Sequence, residues 1–248
     1  VVLAMDDPEP PVRPAIPRVT IEPDSSYLVT GGFGAFGLAT ARWLVEEGAR
    51  HLILVGRSGA TTDQAKAHVA EFMAAGVEVV TERVDVADYE QVRGAVQRAQ
   101  DGAHPLRGVF HTAGIVNNLA IHQITAESLD EVFAPKVAGA INLDRAVDDI
   151  GADLSLFVLF SSVSALTGGT PQIAYSAANS VLDALTWTRR AKGKPSLTVS
   201  WGSMAGGGMA EASEEVVRFL ALLGFTPIDM NAATLYMREC LTLSLPHV

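Results

Sequence analysis

The stretch Tyr27-Leu28-Val29-Thr30-Gly31-Gly32-Phe33-Gly34-Ala35-Phe36-Gly37 decides how this chain of 248 residues is read. Its first four residues form a short apolar run of the kind that makes a buried strand. Gly32-x-Gly34-x-x-Gly37 follows at once, and beyond it Leu38, Ala41, Leu44 and Val45 fall on one helical face. A glycine turn between a strand and a helix lets the backbone approach a pyrophosphate closely and sets the positive end of the helix beneath it. The glycines alone are a weak signal; the strand before them and the helix after them supply the context that makes the pattern meaningful.

Outward from that turn, short apolar runs alternate with longer stretches of helical periodicity. The pattern predicts strands at Tyr27–Thr30, His51–Val55, Glu78–Thr81, Gly108–Phe110, Leu156–Phe160 and Leu197–Val199. Helices are predicted near 37–47, 63–75, 89–100, 126–148 and 173–191, the second opened by a Thr61-x-x-Gln64 capping box and the fourth ended or kinked at Pro135. Alternation at this spacing builds βαβ units. The expected fold is α/β, a Rossmann-type doubly wound parallel sheet with helices on both faces. After about residue 201 the pattern changes to a glycine-rich loop and two helices, near 212–223 and 231–243.

Composition bounds the rest. With 48% hydrophobic and 19% charged residues, the chain has ample core-forming material and is no disordered segment. Eighteen basic and 28 acidic residues leave a net charge of −10, which excludes a broad nucleic-acid footprint. A single cysteine, Cys240, excludes a disulfide framework and any Cys-rich zinc module, and no metal is expected at the site. No run of about 18 apolar residues occurs, no signal peptide is legible, and a cytoplasmic location without membrane partners is expected. Pro8, Pro10, Pro11, Pro14 and Pro17 mark residues 1–19 as a linker or tail, leaving one α/β unit over 20–248.

Two groups of residues carry candidate chemistry. Where an NAD-binding domain places a carboxylate after its second strand, this chain has Arg57-Ser58, which suit a 2′-phosphate and point to NADPH. Asp85 and Val86, after the third strand, are candidates for the adenine. Ser162 ends a buried strand, at the edge where open sheets of this class bind ligands. Tyr175 and Asn179 lie four apart on one helical face. A phenol near pKa 10 needs a cation to act at neutral pH, and Lys136, beside helix-kinking Pro135, is the candidate.

On these residues the chain resembles the short-chain dehydrogenase/reductase superfamily and, more narrowly, the catalytic half of a ketoreductase domain from a modular polyketide synthase. The resemblance covers about residues 19 to 245. It rests on Tyr27 to Gly37, on Gly108-Val-Phe-His-Thr-Ala-Gly114, Pro135-Lys-Val-Ala-Gly139 and Phe160-Ser-Ser162, and on Tyr175-Ser-Ala-Ala-Asn179 and Trp201-Gly202. Asn179 stands where most short-chain reductases carry the active-site Lys, and that Lys appears instead as Lys136, the exchange that marks synthase ketoreductases.

The resemblance implies that Tyr175 protonates a carbonyl oxygen, Ser162 bonds the same oxygen, Lys136 lowers the Tyr pKa and Asn179 helps hold a proton relay. It implies that NADPH is held by Thr30, Gly31, Gly32, Gly34, Phe36, Gly37, Arg57, Ser58, Asp85 and Val86, and by the His111-Thr112-Ala113-Gly114 loop. Asn117, Asn118, Gln172, Met204 and Met209 would line the substrate side, beneath a lid at about 202–225. The substrate would be a β-ketoacyl chain on an acyl carrier protein, with an upstream structural ketoreductase half and other synthase domains as partners. That upstream half has no room in this chain, so apolar surface is expected where it would pack. Val116-Asn117-Asn118 replaces the Leu-Asp-Asp of one product-configuration type, and Thr167 stands where the other type has Trp; configuration stays open. A reduction-silent cofactor-binding scaffold and a free-standing reductase are the alternative functions.

The basic run Arg189, Arg190, Lys192 and Lys194 fits the C-terminal end of the Tyr helix. Docking of an acidic carrier protein is its sharper alternative.

Overall fold

The computed structural model describes residues 20–168, 172–205, 226–243 and 245–248, with positions 218, 221, 222 and 224. Six parallel strands form the central sheet: β1 (Ser26–Thr30), β2 (His51–Gly56), β3 (Glu78–Arg83), β4 (Leu106–His111), β5 (Leu156–Ser162) and β6 (Leu197–Trp201). Their order is β3-β2-β1-β4-β5-β6, so the winding reverses between β1 and β4. A crevice opens at such a reversal, beyond the carboxyl ends of the strands.

Side chains alternate between the two faces with the period of a strand. Tyr27 and Val29, Leu52 and Leu54, and Val158 and Phe160 enter one core, which is completed by α1 (Ala35–Glu46) and α8 (Met230–Thr242). Leu28, Ile53, Val55, Phe157 and Leu159 enter the other, against α3 (Tyr89–Asp101), α5 (Gly139–Ile150) and Leu182 of α7 (Ile173–Ala191). The short α6 (Ser164–Thr167) and α2 (Asp63–Ala74) complete the layers with α4 (Ala126–Phe133).

Two sequence expectations are corrected and a third takes a definite form. Thr62, rather than Thr61, caps α2, its hydroxyl accepting the Ala65 amide at 3.1 Å. The helix expected over 126–148 is interrupted at Pro135 as expected, and the interruption takes the form of a π-helical turn at Ala134–Ala138 between α4 and α5. Pro135 has no N–H for a regular α-helical ladder, and the wider π turn accommodates it. Beyond β6, a two-residue parallel pair joins β7 (Met204–Ala205) to β8 (Ile228–Asp229), and neither strand was expected. Most of the helix expected at 212–223, and the tail at 1–19, lie outside the described residues.

The C-terminal residues add a further rung to the sheet edge. Thr198 N–H donates to Pro246 O at 2.9 Å, Val248 N–H to Thr198 O at 3.0 Å, and Ser200 N–H to Val248 O at 2.7 Å. The packing of α5 is fixed by a glycine: a Cβ at Gly139 would lie 2.8 Å from Val86 Cγ2 and 3.0 Å from the His111 ring, so helix and sheet meet at backbone distance.

His111 is the polar pin of that contact. It is 1% exposed, its Nε2 donates to Lys136 O at 3.0 Å, and its Nδ1 accepts the Thr30 hydroxyl at 2.7 Å. Burial, with the nearby Lys136 charge in support, pushes its pKa down to about 4. The unfolded chain therefore binds a proton that the folded chain refuses between about pH 6.5 and 4, and stability falls as pH is lowered through that window. Urea unfolding at pH 7 and pH 4.5 is expected to show a loss attributable to His111 of about 2–3 kcal/mol, and His111→Gln is expected to flatten the pH dependence over this range. An unchanged slope in that variant would place the acid sensitivity elsewhere.

Candidate active site

Two features meet at the carboxyl edge of the sheet: a glycine-lined cleft over β1 and a buried polar cluster between β5, the π turn and α7. The cleft encloses about 270 Å³ and is walled by Gly31 and Phe33 to Gly37, by Gly56 to Gly59 after β2, and by Thr112, Ala113 and Gly114 after β4, while Gly32 is turned to β2 with its N–H on Val55 O at 3.0 Å. Its floor leaves no space for side chains. Gly31 has φ +65°, and a Cβ there would sit 2.9 Å from the Ala113 backbone. At Gly37 a Cβ would come within 2.2 Å of Gly31 O. This cradle, with Arg57 and Ser58 at its far end, fits a dinucleotide phosphate.

The remaining residues expected at the cofactor are placed differently. Thr30 and His111 lie beneath the turn, fully buried and bonded to each other, and neither lines the cleft. The Thr112 hydroxyl donates to Thr30 O at 2.7 Å, which fixes the loop against β1. Asp85 uses Oδ1 to accept the Ala87 amide at 3.0 Å, and Val86 is buried against Gly139.

In the polar cluster, Lys136 is 3% exposed and donates from Nζ to Phe160 O at 2.8 Å. Its Nζ lies 5.2 Å from the centroid of the Tyr175 ring. Burial pushes the Lys136 pKa down to about 7, against the opposing charge of Asp183. Burial also raises the Tyr175 pKa, while hydrogen bonding to Asn179 and Ser162 pulls it back. The four residues expected to act together are therefore brought together from the π turn, the end of β5 and the first turns of α7.

Asn179 is fully buried; its Nδ2 donates to Tyr175 O at 2.9 Å, whereas its Oδ1 has no hydrogen-bond partner among the described residues. Ser162 Oγ accepts the Ser164 amide at 3.2 Å, which holds the hydroxyl at the strand end.

Asp183 is a member of this cluster that sequence reading passed over. It sits one turn beyond Asn179 on α7, with its Oδ1 buried and 3.8 Å from His247 Nε2. Burial raises its pKa, and the Ser161 hydroxyl and the charges of His247 and Lys136 draw it back down. The legible signal was the i, i+4, i+8 run Tyr175, Asn179, Asp183 on one helical stripe.

Of the residues expected near a substrate, Asn118 Oδ1 accepts from Gln172 Nε2 at 3.2 Å, which joins two loops, and Asn117 Nδ2 donates to Ser128 O at 2.6 Å. Met204 is 4% exposed and belongs to the core rather than to an open surface. Met209 lies outside the described residues. The basic run at the end of α7 and just beyond it is largely occupied. Arg189 is buried on the Phe157 ring and paired with Asp144, Lys194 is paired with Asp148, and Arg190 donates to Ser196 O and Leu245 O.

Comparison with known proteins agrees with this geometry. The family model for the KR domain matches residues 25–206. The pikromycin polyketide synthase component PikAII of Streptomyces venezuelae is 42% identical over 212 residues, which cover 84% of this chain and 6% of that protein. The reducing polyketide synthase PKS1 of Cochliobolus heterostrophus is 38% identical over 216 residues, 87% of this chain and 8% of that protein.

Among solved structures, the ketoreductase from the first phoslactomycin module of Streptomyces sp. HK803 superposes with a TM-score of 0.83 at 34% identity, covering 95% of this chain and 54% of that one. The first ketoreductase of the tylosin synthase gives 0.81 at 39% identity, covering 90% and 48%. The chain thus spans less than a tenth of the two synthases and about half of the solved ketoreductases. Domains of this kind bind a nicotinamide cofactor. Fold, cleft, polar cluster and family match agree: the chain belongs to the KR domain family, the ketoreductase domains of polyketide synthases.

Proposed function

We propose that the chain reduces a β-ketoacyl thioester, presented on an acyl carrier protein, to the β-hydroxyacyl thioester with NADPH. The observation that carries this reading is the convergence of Ser162, Tyr175, Asn179 and buried Lys136 beside a glycine-rich cleft. When bound, the cofactor supplies the hydride.

This chain's residues supply everything else. The backbone of Gly31–Gly37 holds the pyrophosphate over the start of α1, and Arg57 and Ser58, which the cleft brings to one end, hold the 2′-phosphate. Tyr175 gives its phenolic proton to the substrate carbonyl oxygen, and the Ser162 hydroxyl bonds that oxygen as charge develops on it. Lys136, an ammonium 5.2 Å from the Tyr ring centroid, stabilises the phenolate left behind. Asn179 Oδ1, buried and without a partner among the described residues, is the acceptor for a water that returns the proton. Asp183 sustains the Lys136 charge against burial.

The carrier protein, the upstream structural half and neighbouring synthase domains are the proposed partners, since the matched relatives are far longer than this chain. Exposed Ile141 on α5 and Trp187 on α7 support a packed neighbour on that side. No helix among the described residues is long and apolar enough to cross a membrane. A reduction-silent scaffold is disfavoured because all four catalytic positions are filled.

Three outcomes follow from these roles. Tyr175→Phe is expected to cut NADPH oxidation with a short β-keto thioester at least about 100-fold while NADPH still binds by fluorescence titration. Near-normal turnover would remove Tyr175 from its role. Arg57→Ala is expected to weaken NADPH about tenfold or more and leave NADH affinity unchanged, and an equal loss for both would assign Arg57 no part in the 2′-phosphate site. Asp183→Asn removes a charge that favours the ammonium, so the Lys136 pKa falls further below its present value of about 7. The loss of kcat with rising pH is then expected to begin at lower pH than in the parent; an unmoved limb would leave Asp183 a packing residue only.

A further inference from the structure

Opposite the cofactor cleft, at the amino ends of the strands, three metal-ligating side chains meet. His51 opens β2 and Glu78 opens β3, and the parallel register pairs them directly across the sheet edge. His104, in the connection from α3 to β4, stacks its ring on that of His51 with centroids 3.3 Å apart. One ligand atom from each of the three lies within 4.8 Å of the other two.

We propose that His51, Glu78 and His104 form a binding site for a zinc-like divalent transition-metal ion. The tautomers and distances point that way. His104 Nδ1 lies 3.2 Å from Asp24 O, and because a carbonyl only accepts, Nδ1 carries the proton and Nε2 presents its lone pair. A histidine oriented through its other nitrogen by a backbone carbonyl is the usual support of a metal ligand.

His51 Nδ1 and Glu78 Oε2 are 3.3 Å apart. That is long for a charge-assisted hydrogen bond, which runs at about 2.7–2.9 Å. It equals the edge of a tetrahedron whose metal–ligand bonds are about 2.0–2.1 Å, roughly 3.3 Å. Two imidazoles and one carboxylate suit Zn(II), Co(II) or Ni(II) better than Mg(II) or Ca(II), which prefer all-oxygen shells.

The ion would have three protein ligands and one open position. The same three residues line a cleft of about 270 Å³ together with Glu82, Arg98 and Gly102. An imidazole binds a metal in its own ring plane, so coordination requires the two rings to turn out of their face-to-face stack; none of the three residues is buried, which leaves them that rotation. An ion there clips the start of β2, the start of β3 and the loop before β4 into one unit, at the end of the sheet remote from Tyr175. It therefore acts on stability and leaves the reduction chemistry untouched.

Cobalt is the probe. The whole chain, stripped with chelator and titrated with Co(II), is expected to take up one equivalent with the visible ligand-field bands of a four-coordinate ion. Equimolar Zn(II) should displace it and raise the melting temperature. His104→Ala and the near-isosteric Glu78→Gln are each expected to weaken Co(II) at least about tenfold, with far-UV circular dichroism unchanged. His68→Ala, which alters the separate surface pair of His68 and Glu71, should leave the titration intact. Absence of the bands, or one equivalent bound equally well by His104→Ala and Glu78→Gln, would overturn the proposal.

Discussion

A buried ammonium group is the constraint on which the functional edge of this sheet depends. Lys136 is held out of water with one carbonyl, Phe160 O, as its direct partner, and burial has brought its pKa to about 7. Such a group is tolerated only where the surroundings compensate it. Here the compensation comes from the end of β5 and from Asp183 on α7, so strand, helix and π turn must hold a fixed relation. The His111 bridge from Thr30 to the Lys136 carbonyl and the close approach permitted by Gly139 lock the turn in that relation. The phosphate cradle begins at the next residue after Thr30. Cofactor turn and catalytic cluster are thus two ends of one hydrogen-bonded path through β1 and β4.

Much of this was legible in the sequence, because period and punctuation are local. The six strands, their order as βαβ units and the glycine turn follow from apolar runs spaced by helices, and all six strands lie where they were expected to within a few residues. Residues whose roles depend on a chemical type, such as Tyr175, Ser162, Lys136 and Asn179, could be gathered because the family match supplied the long-range pairing that spacing does not. What escaped was decided by burial. Thr30 and His111 looked like cofactor residues, yet each satisfies the other beneath the turn. Met204, expected on the substrate side, is buried in the same core cluster as Trp201 and residues of α8. The displaced cap at Thr62 has a simpler reason: two adjacent threonines offer two registers, and only the three-dimensional path of the chain selects one.

Net charge carries a different lesson. For a chain with ten more acidic than basic residues, the proposed anion site relies on glycines in a turn more than on added cations. Under the proposed function, the turn from Gly31 to Gly37 and the single arginine Arg57 make up that site, and the Arg57 carbonyl accepts from Arg83 Nε at 3.4 Å. The basic residues that end α7 are meanwhile spent on Asp144, Asp148 and backbone carbonyls. Local geometry thereby decouples ligand preference from the global field.

The rung contributed by Pro246 and Val248 has a consequence for how copies of this chain meet one another. An unpaired outer strand is a template for aggregation, and here the β6 side is already occupied by the molecule's own backbone. The remaining outer strand, β3, carries Glu78, Glu82 and Arg83 along its short length. Charge guards one edge and self-pairing guards the other, so the sheet offers little to a stray strand while its carboxyl end stays open for chemistry.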